Sequence, residues 1–175
     1  MTLAAMQVVS ASPEDARAVA EIHVSAWQAA YASILPADYL ASLSVESREA
    51  MWSKCIAAGT PELLVVKESG VVQGWLSFGQ SRDEASPKTE AEVWAIYVSP
   101  PAWSTGVGRL LWQRARELML VQGFKSCILW VLAQNDRAIK FYHSAGFFHD
   151  GSAPKSFVLG GARLQEVRLV SRLDG

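Results

Sequence analysis

The spacing of apolar and polar residues predicts a helical first third of the chain. A serine, a proline and two acidic residues at 12–15 are typical of a helix start, and they predict a helix over 13–31. A short strand over 5–10 precedes this helix, and apolar residues at helical spacing predict two further helical segments over 36–43 and 45–58. Strands are therefore expected mainly in the remaining two thirds.

The middle of the chain has the pattern of an antiparallel meander. Two β-rich runs at 63–67 and 71–78 flank Glu68-Ser69-Gly70, which predicts a hairpin, and a polar loop over 80–89 follows. The next run, 91–98, is apolar on both alternating faces after its glutamate. Such a pattern is typical of an interior strand that is covered on both sides.

An amphipathic helix over 106–121 comes next and is followed by a strand over 126–132 and a short helix over 137–145. Two last strands, at 147–150 and 164–170, are predicted to form a terminal hairpin. We therefore predict an α/β or α+β fold with one mixed, twisted, mostly antiparallel sheet of six to seven strands flanked by helices. No linker or repeat interrupts this order, so the whole chain is predicted to be a single domain.

Composition narrows the classes of function. Half of the 175 residues are apolar, which is enough for a substantial core. Sixteen Lys and Arg residues against seventeen Asp and Glu residues give a net charge of -1, without the positive excess that nucleic acid or an anionic membrane requires. Because no apolar run approaches the length of a membrane span and no cation precedes the first apolar stretch, we expect a cytoplasmic protein.

The spacing of the cysteines and histidines does not indicate a metal site or a disulfide bond. Cys55 and Cys127 lie far apart, and His23, His143 and His149 are scattered without carboxylates at ligand spacing. Zinc sites and disulfide frameworks need closer or recurring spacings. No metal is therefore predicted.

The first candidate for chemistry is the loop 100–110, which leads into the amphipathic helix. Gly106 and Gly108 allow the backbone to approach a bulky anion, and the N–H groups of 104–109 at the positive end of the helix can donate to pyrophosphate oxygens. The hydroxyl of Thr105 is a further candidate donor. Taken alone, the loop is equally compatible with a tight structural turn.

The residues after the loop exclude two common nucleotide-binding motifs, the P-loop and the dinucleotide fingerprint. No Gly-Lys-Ser/Thr follows the loop, as a P-loop would need, and Leu111 stands where the dinucleotide fingerprint has its third glycine.

The second candidate segment follows the next strand and reads Asn135-Asp136-Arg137-Ala138-Ile139-Lys140-Phe141-Tyr142-His143-Ser144-Ala145-Gly146-Phe147. Together with the loop it resembles the GNAT N-acetyltransferase superfamily. The cofactor loop of that family reads Arg/Gln-x-x-Gly-x-Gly/Ala, and its next segment reads Asn-x-x-Ala-x-x-Phe-Tyr-x-x-x-Gly-Phe. The resemblance is most specific over 92–147, and the order of elements agrees across nearly the whole chain. One position departs from the pattern, because Trp103 stands where the family has Arg or Gln.

The resemblance implies an enzyme that uses acetyl-CoA as acyl donor, without a metal, and acetylates a primary amine of a small molecule by direct attack on the thioester. The residues implied to contact acetyl-CoA are Ile96, Tyr97, Val98, Ser104, Thr105, Gly106, Val107, Gly108, Arg109, Asn135, Ala138 and Tyr142. Among them, the backbone N–H of Val98 is implied to meet the carbonyl oxygen where two strands splay. Asn135 is implied to reach the pantetheine arm, and it is also a good helix N-cap.

Two residues are implied to move protons. An alkylamine with a pKa near ~10.4 is only about one part in a thousand neutral at pH 7, so a carboxylate that takes its proton is needed. Glu92 is the candidate, with Glu90 as the second choice, although a glutamate at a strand start is often only solvated. Tyr142 is the candidate acid, because a phenol near ~10 can protonate a thiolate near ~8.5; the alternative is a core aromatic.

The acceptor is expected to contact aromatic side chains in the helical first third. Trp27 and Tyr31, with Tyr39 nearby in sequence, can attract an ammonium group, although Trp27 and Tyr31 are also spaced to pack together on one helix face. Two other functions stay open, a peptide or protein N-terminal acetyltransferase and a non-catalytic acyl-CoA-binding module. A homodimer is also left open.

Overall fold

In the computed structural model, which describes residues 5–174, eight strands form one sheet. The strands are β1 (Gln7–Ser10), β2 (Glu62–Glu68), β3 (Val71–Gln80), β4 (Glu90–Val98), β5 (Ser126–Leu132), β6 (Phe148–His149), β7 (Lys155–Leu159) and β8 (Ala162–Arg172). Their order in the sheet is β1-β2-β3-β4-β5-β8-β6, and β7 also pairs with β8. All of these pairs are antiparallel except β4 with β5, which are parallel across the crossover helix. The predicted mixed, mostly antiparallel sheet is confirmed, with eight strands instead of six to seven.

Within residues 5–174, five α-helices pack around the sheet. They are α1 (Ala16–Ala30), α2 (Ala37–Ala41), α3 (Val45–Ala58), α4 (Val107–Val121) and α5 (Asp136–Ser144). The predicted first helix begins with a 3-10 turn at Pro13–Asp15 and continues as α1. No helix within residues 5–174 is long and apolar enough to cross a membrane.

Each face of the sheet has its own core. On one face, α1 and α3 pack around Trp52 and Trp75, which are buried with Val19. On the other face, α4 packs on the sheet through Leu111 and Met119. Burying each large apolar side chain stabilises the fold by about 1.5–3 kcal/mol. The two cores therefore fix α1 and α4 on opposite sides of the central strands.

A bulge in β4 changes which residues face each core. Ser77 pairs with Ala95 and Phe78 pairs with Val93, so Trp94 is an extra residue without a partner on β3. An extra residue reverses the alternation of the side chains that follow it.

The parallel strands β4 and β5 separate shortly after they meet. Their pairing runs from Glu90 opposite Ser126 to Glu92 opposite Ile128 and stops there. β5 continues to pair with β8 as far as Leu132, so the gap opens on the β4 side only. The splay that the resemblance implied is present.

The strand β7 is absent from the sequence prediction. It pairs with β8 through a two-residue turn at Gly160 and Gly161, which have φ values of 57° and 83°. A Gly-Gly pair between two alternating runs is a recognisable hairpin signal. The strand predicted over 147–150 is present as the two-residue β6 and pairs antiparallel with β8, but the hairpin itself is formed by β7 and β8.

Candidate active site

A cavity of about 660 Å³ passes through the gap between β4 and β5, and we call it the main cavity. Its walls come from α1, β4, the loop before α4, β5, α5 and the β7–β8 hairpin. The predicted site residues that line it are Trp27, Tyr31, Ile96, Tyr97, Val98, Ser104, Gly106, Val107, Gly108, Arg109, Asn135, Ala138 and Tyr142. Two predicted site residues, Thr105 and Glu92, do not line it.

The start of α4 leaves backbone donors available at one end of the main cavity. Gly106 caps the helix with a φ of 95°, and no side chain accepts a hydrogen bond from the first turn. Ser104 also has a left-handed backbone, with a φ of 62°, which is uncommon for a non-glycine residue. A Cβ on Gly106 would meet no atom within 4 Å, so the space beside this turn of the backbone is open. Such a helix start is suited to an anion.

The hydroxyl of Thr105, which was predicted to donate to the ligand, has a partner within the loop. It donates to the carbonyl oxygen of Ala102 at 2.6 Å. A hydroxyl has one proton to donate. The prediction that this hydroxyl donates to a ligand is therefore corrected, and it tightens the loop instead.

Gly108 has a packing role in addition to the predicted one, which stays a prediction. A Cβ at this position would lie 3.1 Å from two ring carbons of Phe141 on α5. The missing side chain therefore lets α4 and α5 approach each other, besides any space that it leaves for a ligand.

We expect Gly108→Val to destabilise the protein by about 1–3 kcal/mol, because the branched side chain overpacks the contact with Phe141. Thermal unfolding measures the change. The double variant Gly108→Val/Phe141→Leu should regain part of the loss, since the smaller side chain gives room. A Gly108→Val protein that unfolds at the wild-type temperature would contradict this interpretation.

The backbone of Val98 faces the gap. The N–H of Ser99 donates to the carbonyl oxygen of Gln73 at 2.9 Å, and in antiparallel pairing every second residue points its N–H and C=O away from the partner strand. Val98 therefore points both groups away from β3. Its carbonyl oxygen accepts from Trp103 Nε1 at 2.9 Å, and its N–H is directed into the main cavity side of β4.

Trp103 also holds a cation that sequence reasoning overlooked. The guanidinium of Arg137 lies 3.6 Å from the centroid of the Trp103 ring, and both residues line the main cavity. The pair places a positive charge beside the α4 loop, where the family pattern has its Arg or Gln. Arg137 lies inside the second recognised segment, so its position was visible in the sequence, but its stacking partner was not.

Tyr142 and Asn135 lie at the middle of the main cavity. Burial raises the pKa of the Tyr142 phenol, which keeps it protonated at neutral pH. Its ring makes edge contacts with Phe141 and Phe147, at centroid distances of 5.4 Å and 5.9 Å. Asn135 Oδ1 accepts from the N–H of Ala138 at 3.2 Å, which confirms the predicted N-cap of α5.

Trp27 and Tyr31 form the opposite end of the main cavity. Their rings pack edge to face at 5.1 Å, as the helical spacing predicts, and both line the main cavity. The buried Trp27 Nε1 has no hydrogen-bond partner within residues 5–174. A buried donor without a partner is costly, and the nearest polar side chain on the facing strand is Tyr97, whose ring lies 6.4 Å from the Trp27 ring.

Glu92 faces a smaller cavity of about 280 Å³, which we call the side cavity. It is lined by Arg82, Asp83, Glu92, Val93, Trp94, Trp130, Lys155 and Glu166. Both carboxylate oxygens of Glu92 are engaged by Arg82, at 2.8 Å from its backbone N–H, 3.2 Å from Nε and 2.7 Å from Nη2. Glu92 as proton acceptor stays a prediction, but three hydrogen bonds from Arg82 already occupy most of its acceptor sites. The second choice, Glu90, is bound by Arg168 at 3.0 Å.

Glu166 is the acidic residue that sequence reasoning missed. It lines both cavities, and its side chain makes no hydrogen bond or ion pair within the described residues. Burial raises the pKa of its carboxyl group. Glu166 pairs with Leu132 across β5 and β8, which puts both side chains on the α1 face of the sheet. Only the strand pairing brings it to the site, so no local signal could have found it.

Among residues 5–174, no three His, Cys, Asp or Glu side chains are grouped in a way that could hold a metal ion.

Known proteins share both the sequence and the fold. The sequence matches the family described as Acetyltransferase (GNAT) over residues 18–147. It is 35% identical over 162 residues to the uncharacterized N-acetyltransferase YuaI of Bacillus subtilis, covering 93% of this chain and 90% of that protein. It is 29% identical over 133 residues to the L-methionine sulfoximine/L-methionine sulfone acetyltransferase of Salmonella typhimurium, covering 76% of this chain and 77% of the relative.

A solved structure of yncA from Salmonella typhimurium with its cofactor acetyl-CoA superposes with a TM-score of 0.74 at 27% identity, covering 97% of this chain and 95% of that one.

Proposed function

The chain belongs to the GNAT acetyltransferase family and is an acyltransferase, and we propose that it transfers an acetyl group from acetyl-CoA to the primary amine of a small molecule. The observation that carries this proposal is the main cavity. It connects the backbone N–H groups at the start of α4, which can bind an anion, to the aromatic side chains of Trp27 and Tyr31 beside α1. A thioester donor can enter from one face of the sheet and an amine from the other.

The proposed place of the acetyl-CoA pyrophosphate is the loop before α4. The N–H groups behind Gly106 supply donors at the positive end of a 15-residue helix. Arg137, stacked on Trp103, supplies a nearby cation, and Arg109 lines the same part of the main cavity. The structure of yncA with acetyl-CoA supports this assignment, because the two chains share a fold and more than a quarter of their residues.

The chemistry follows from the groups around the gap. A neutral amine attacks the thioester carbonyl, a C–N bond forms, and the carbonyl oxygen gains negative charge. The N–H of Val98 is placed to stabilise that charge, since its own strand partner does not use it. As the C–S bond breaks, the Tyr142 phenol gives its proton to the thiolate, and the proton that the new amide nitrogen loses restores the phenol.

The apolar walls of the main cavity near α1 support a small acceptor. Leu35, after α1, and Phe157 and Leu159 of β7 line the main cavity together with Trp27 and Tyr31, so these walls are apolar or aromatic. An extended peptide is bound through free backbone groups, whereas a small amine needs only an apolar pocket with a few polar groups. The Salmonella relative is named for acetylating methionine sulfoximine and methionine sulfone, which are small amines.

We expect the protein to bind acetyl-CoA and CoA without added metal, and Arg137→Ala to weaken both affinities about tenfold or more. A charged hydrogen bond to phosphate contributes about 1.5–3 kcal/mol, which corresponds to this loss. Isothermal titration calorimetry with and without a chelator gives both results. Absence of heat in the wild type, or binding that requires a divalent metal, would contradict the proposed function. Equal affinity in Arg137→Ala would contradict the role of the stacked cation alone.

A further inference from the structure

The charged side chains that line the main cavity are divided between its two ends. Arg109 and Arg137 lie at the starts of α4 and α5, on the face where the acetyl-CoA pyrophosphate is proposed to bind. Glu166 lies on the α1 face, and it is the one charged side chain of the described residues that lines the main cavity there. The acceptor end therefore carries a single negative charge.

Among the described residues, no cation of the side cavity forms an ion pair with Glu166. The two cations of the side cavity already have carboxylate partners, because Arg82 binds Glu92 at 2.7 Å and Lys155 binds Asp83 at 3.1 Å. Arg82 and Lys155 also lie over the indole rings of Trp94 and Trp130, at 4.2 Å and 3.8 Å from the ring centroids. After these pairs are formed, Glu166 is the carboxylate of the side cavity that is left without a cation within residues 5–174.

The remaining walls near Glu166 are apolar or aromatic. Trp27, Tyr31, Leu35, Phe157 and Leu159 line the same end of the main cavity. An ammonium group is attracted both by a carboxylate and by aromatic faces. A carboxylate on the acceptor would meet Glu166 and apolar walls without a free cation, and burying such an unpaired anion is costly.

We propose that Glu166 binds the ammonium group of the acceptor and takes its proton, and that the acceptor is a primary amine with an apolar body and no carboxylate beside the amine. This inference rests on the proposed acetyl transfer and names the acceptor class of the same site. It separates the chain from its relative named for methionine sulfoximine, an amino acid derivative.

The proton balance is complete without another reactant. The Glu166 carboxylate takes one proton from the ammonium group and later releases it to solvent. The free amine forms the C–N bond, the C–S bond breaks, and the second proton lost by nitrogen balances the proton that Tyr142 gives to the thiolate. The products are the acetamide, CoA and one proton.

The groups around Glu166 set the pH range in which it can act. Burial raises the pKa of Glu166, the positive charges of Lys155 and Arg82 lower it, and the carboxylate of Glu92 raises it again. On the α1 side, the buried Tyr31 phenol stays neutral, because burial and the charge of Glu166 both raise its pKa. The net upward direction makes Glu166 a better base than an exposed glutamate.

The test compares matched acceptors that differ only in the carboxylate, 2-phenylethylamine with phenylalanine and pentylamine with norleucine, at saturating acetyl-CoA. We expect kcat/KM to favour each amine over its amino acid about 10²-fold or more. Glu166→Gln should lower kcat/KM for the amines about 10²-fold and abolish the rise of kcat/KM with pH on the acidic side. Its acetyl-CoA affinity, measured by calorimetry, should equal that of the wild type, which also shows that the variant is folded.

The exposed Glu84→Gln, in the loop that precedes β4, is the control and should keep wild-type kinetics. Faster acetylation of the amino acids would overturn the inference on the acceptor. An acidic limb that persists in Glu166→Gln and vanishes in Glu92→Gln would overturn the inference on the base and return that role to Glu92. A wild-type protein that releases no CoA with any amine would contradict the proposed function itself.

Discussion

Replacing Tyr142 by phenylalanine is expected to lower kcat about 10²-fold or more while the affinity for acetyl-CoA stays unchanged. The hydroxyl is the only group removed, and the ring keeps its contacts with Phe141 and Phe147. Burial raises the pKa of this phenol, so it keeps its proton at neutral pH until the leaving thiolate takes it. Without it, the thiolate leaves unprotonated or takes its proton from water.

Steady-state kinetics and calorimetry on the same preparations measure the two quantities. Tyr39→Phe is the matched control, because it deletes the same hydroxyl from a tyrosine that does not line the main cavity. A Tyr142→Phe enzyme with wild-type kcat would show that Tyr142 only packs against its neighbours.

Replacing Arg168 by methionine is expected to destabilise the fold by about 3 kcal/mol, the cost of breaking a largely buried ion pair. Arg168 is 14% exposed and binds three carboxylates: Asp83 at 2.9 Å, Glu90 at 3.0 Å, and Asp150. Methionine keeps the apolar stem but leaves these carboxylates close together without their shared cation. For a chain of this length we expect the melting temperature to fall by roughly 6–12 °C.

Arg172→Met on the same strand is the control, because the pair of Arg172 with Asp174 is exposed and contributes little. Equal melting temperatures for Arg168→Met and the wild type would show that the carboxylates find other partners.

The same network predicts how the difference between the two proteins depends on pH. Burial opposes the ionisation of Asp83 and Asp150, but hydrogen bonds, including those from Arg168, outweigh it and lower the pKa of both groups. A carboxyl whose folded pKa is lowered contributes stability above its unfolded pKa and loses that contribution as the pH falls through the folded value. The advantage of the wild type over Arg168→Met should therefore shrink as the pH falls below 3.8, the ordinary value for aspartate.

Elements with local signals were predictable from the sequence. The helix predicted over 45–58 is found with the same bounds, because Ser44 caps its start and Gly59 ends it with a φ of 68°. The loop before α4 was equally predictable, since glycines at the start of an amphipathic helix are a local sequence pattern. The clear miss in the fold is β7, where the Gly160-Gly161 signal was present but unused.

The acceptor side was less predictable for a physical reason. Glu166 reaches the site because β8 pairs with β5, and the gap opens where β4, which has an extra residue at Trp94, stops pairing with β5. Both depend on contacts between residues far apart in sequence. Side-chain roles in the loop before α4 were also ambiguous, since Thr105 could donate to a ligand or to its own loop, and only the position of the Ala102 carbonyl distinguishes the two.

The contact between Gly108 and Phe141 bears on how this scaffold can be redesigned. When loops are grafted or related sequences are recombined, the loop before α4 and the helix α5, which carries Tyr142, are exchanged separately. They are far enough apart in sequence for this, because β5 lies between α4 and α5. In this protein the ring of Phe141 on α5 lies 3.1 Å from the position that a Cβ on residue 108 would take. A grafted loop with a larger residue at 108 would push α5, and Tyr142 with it, out of position. Mutant libraries for this enzyme therefore need to randomise positions 108 and 141 together, with each crossover point placed outside the segment that contains both.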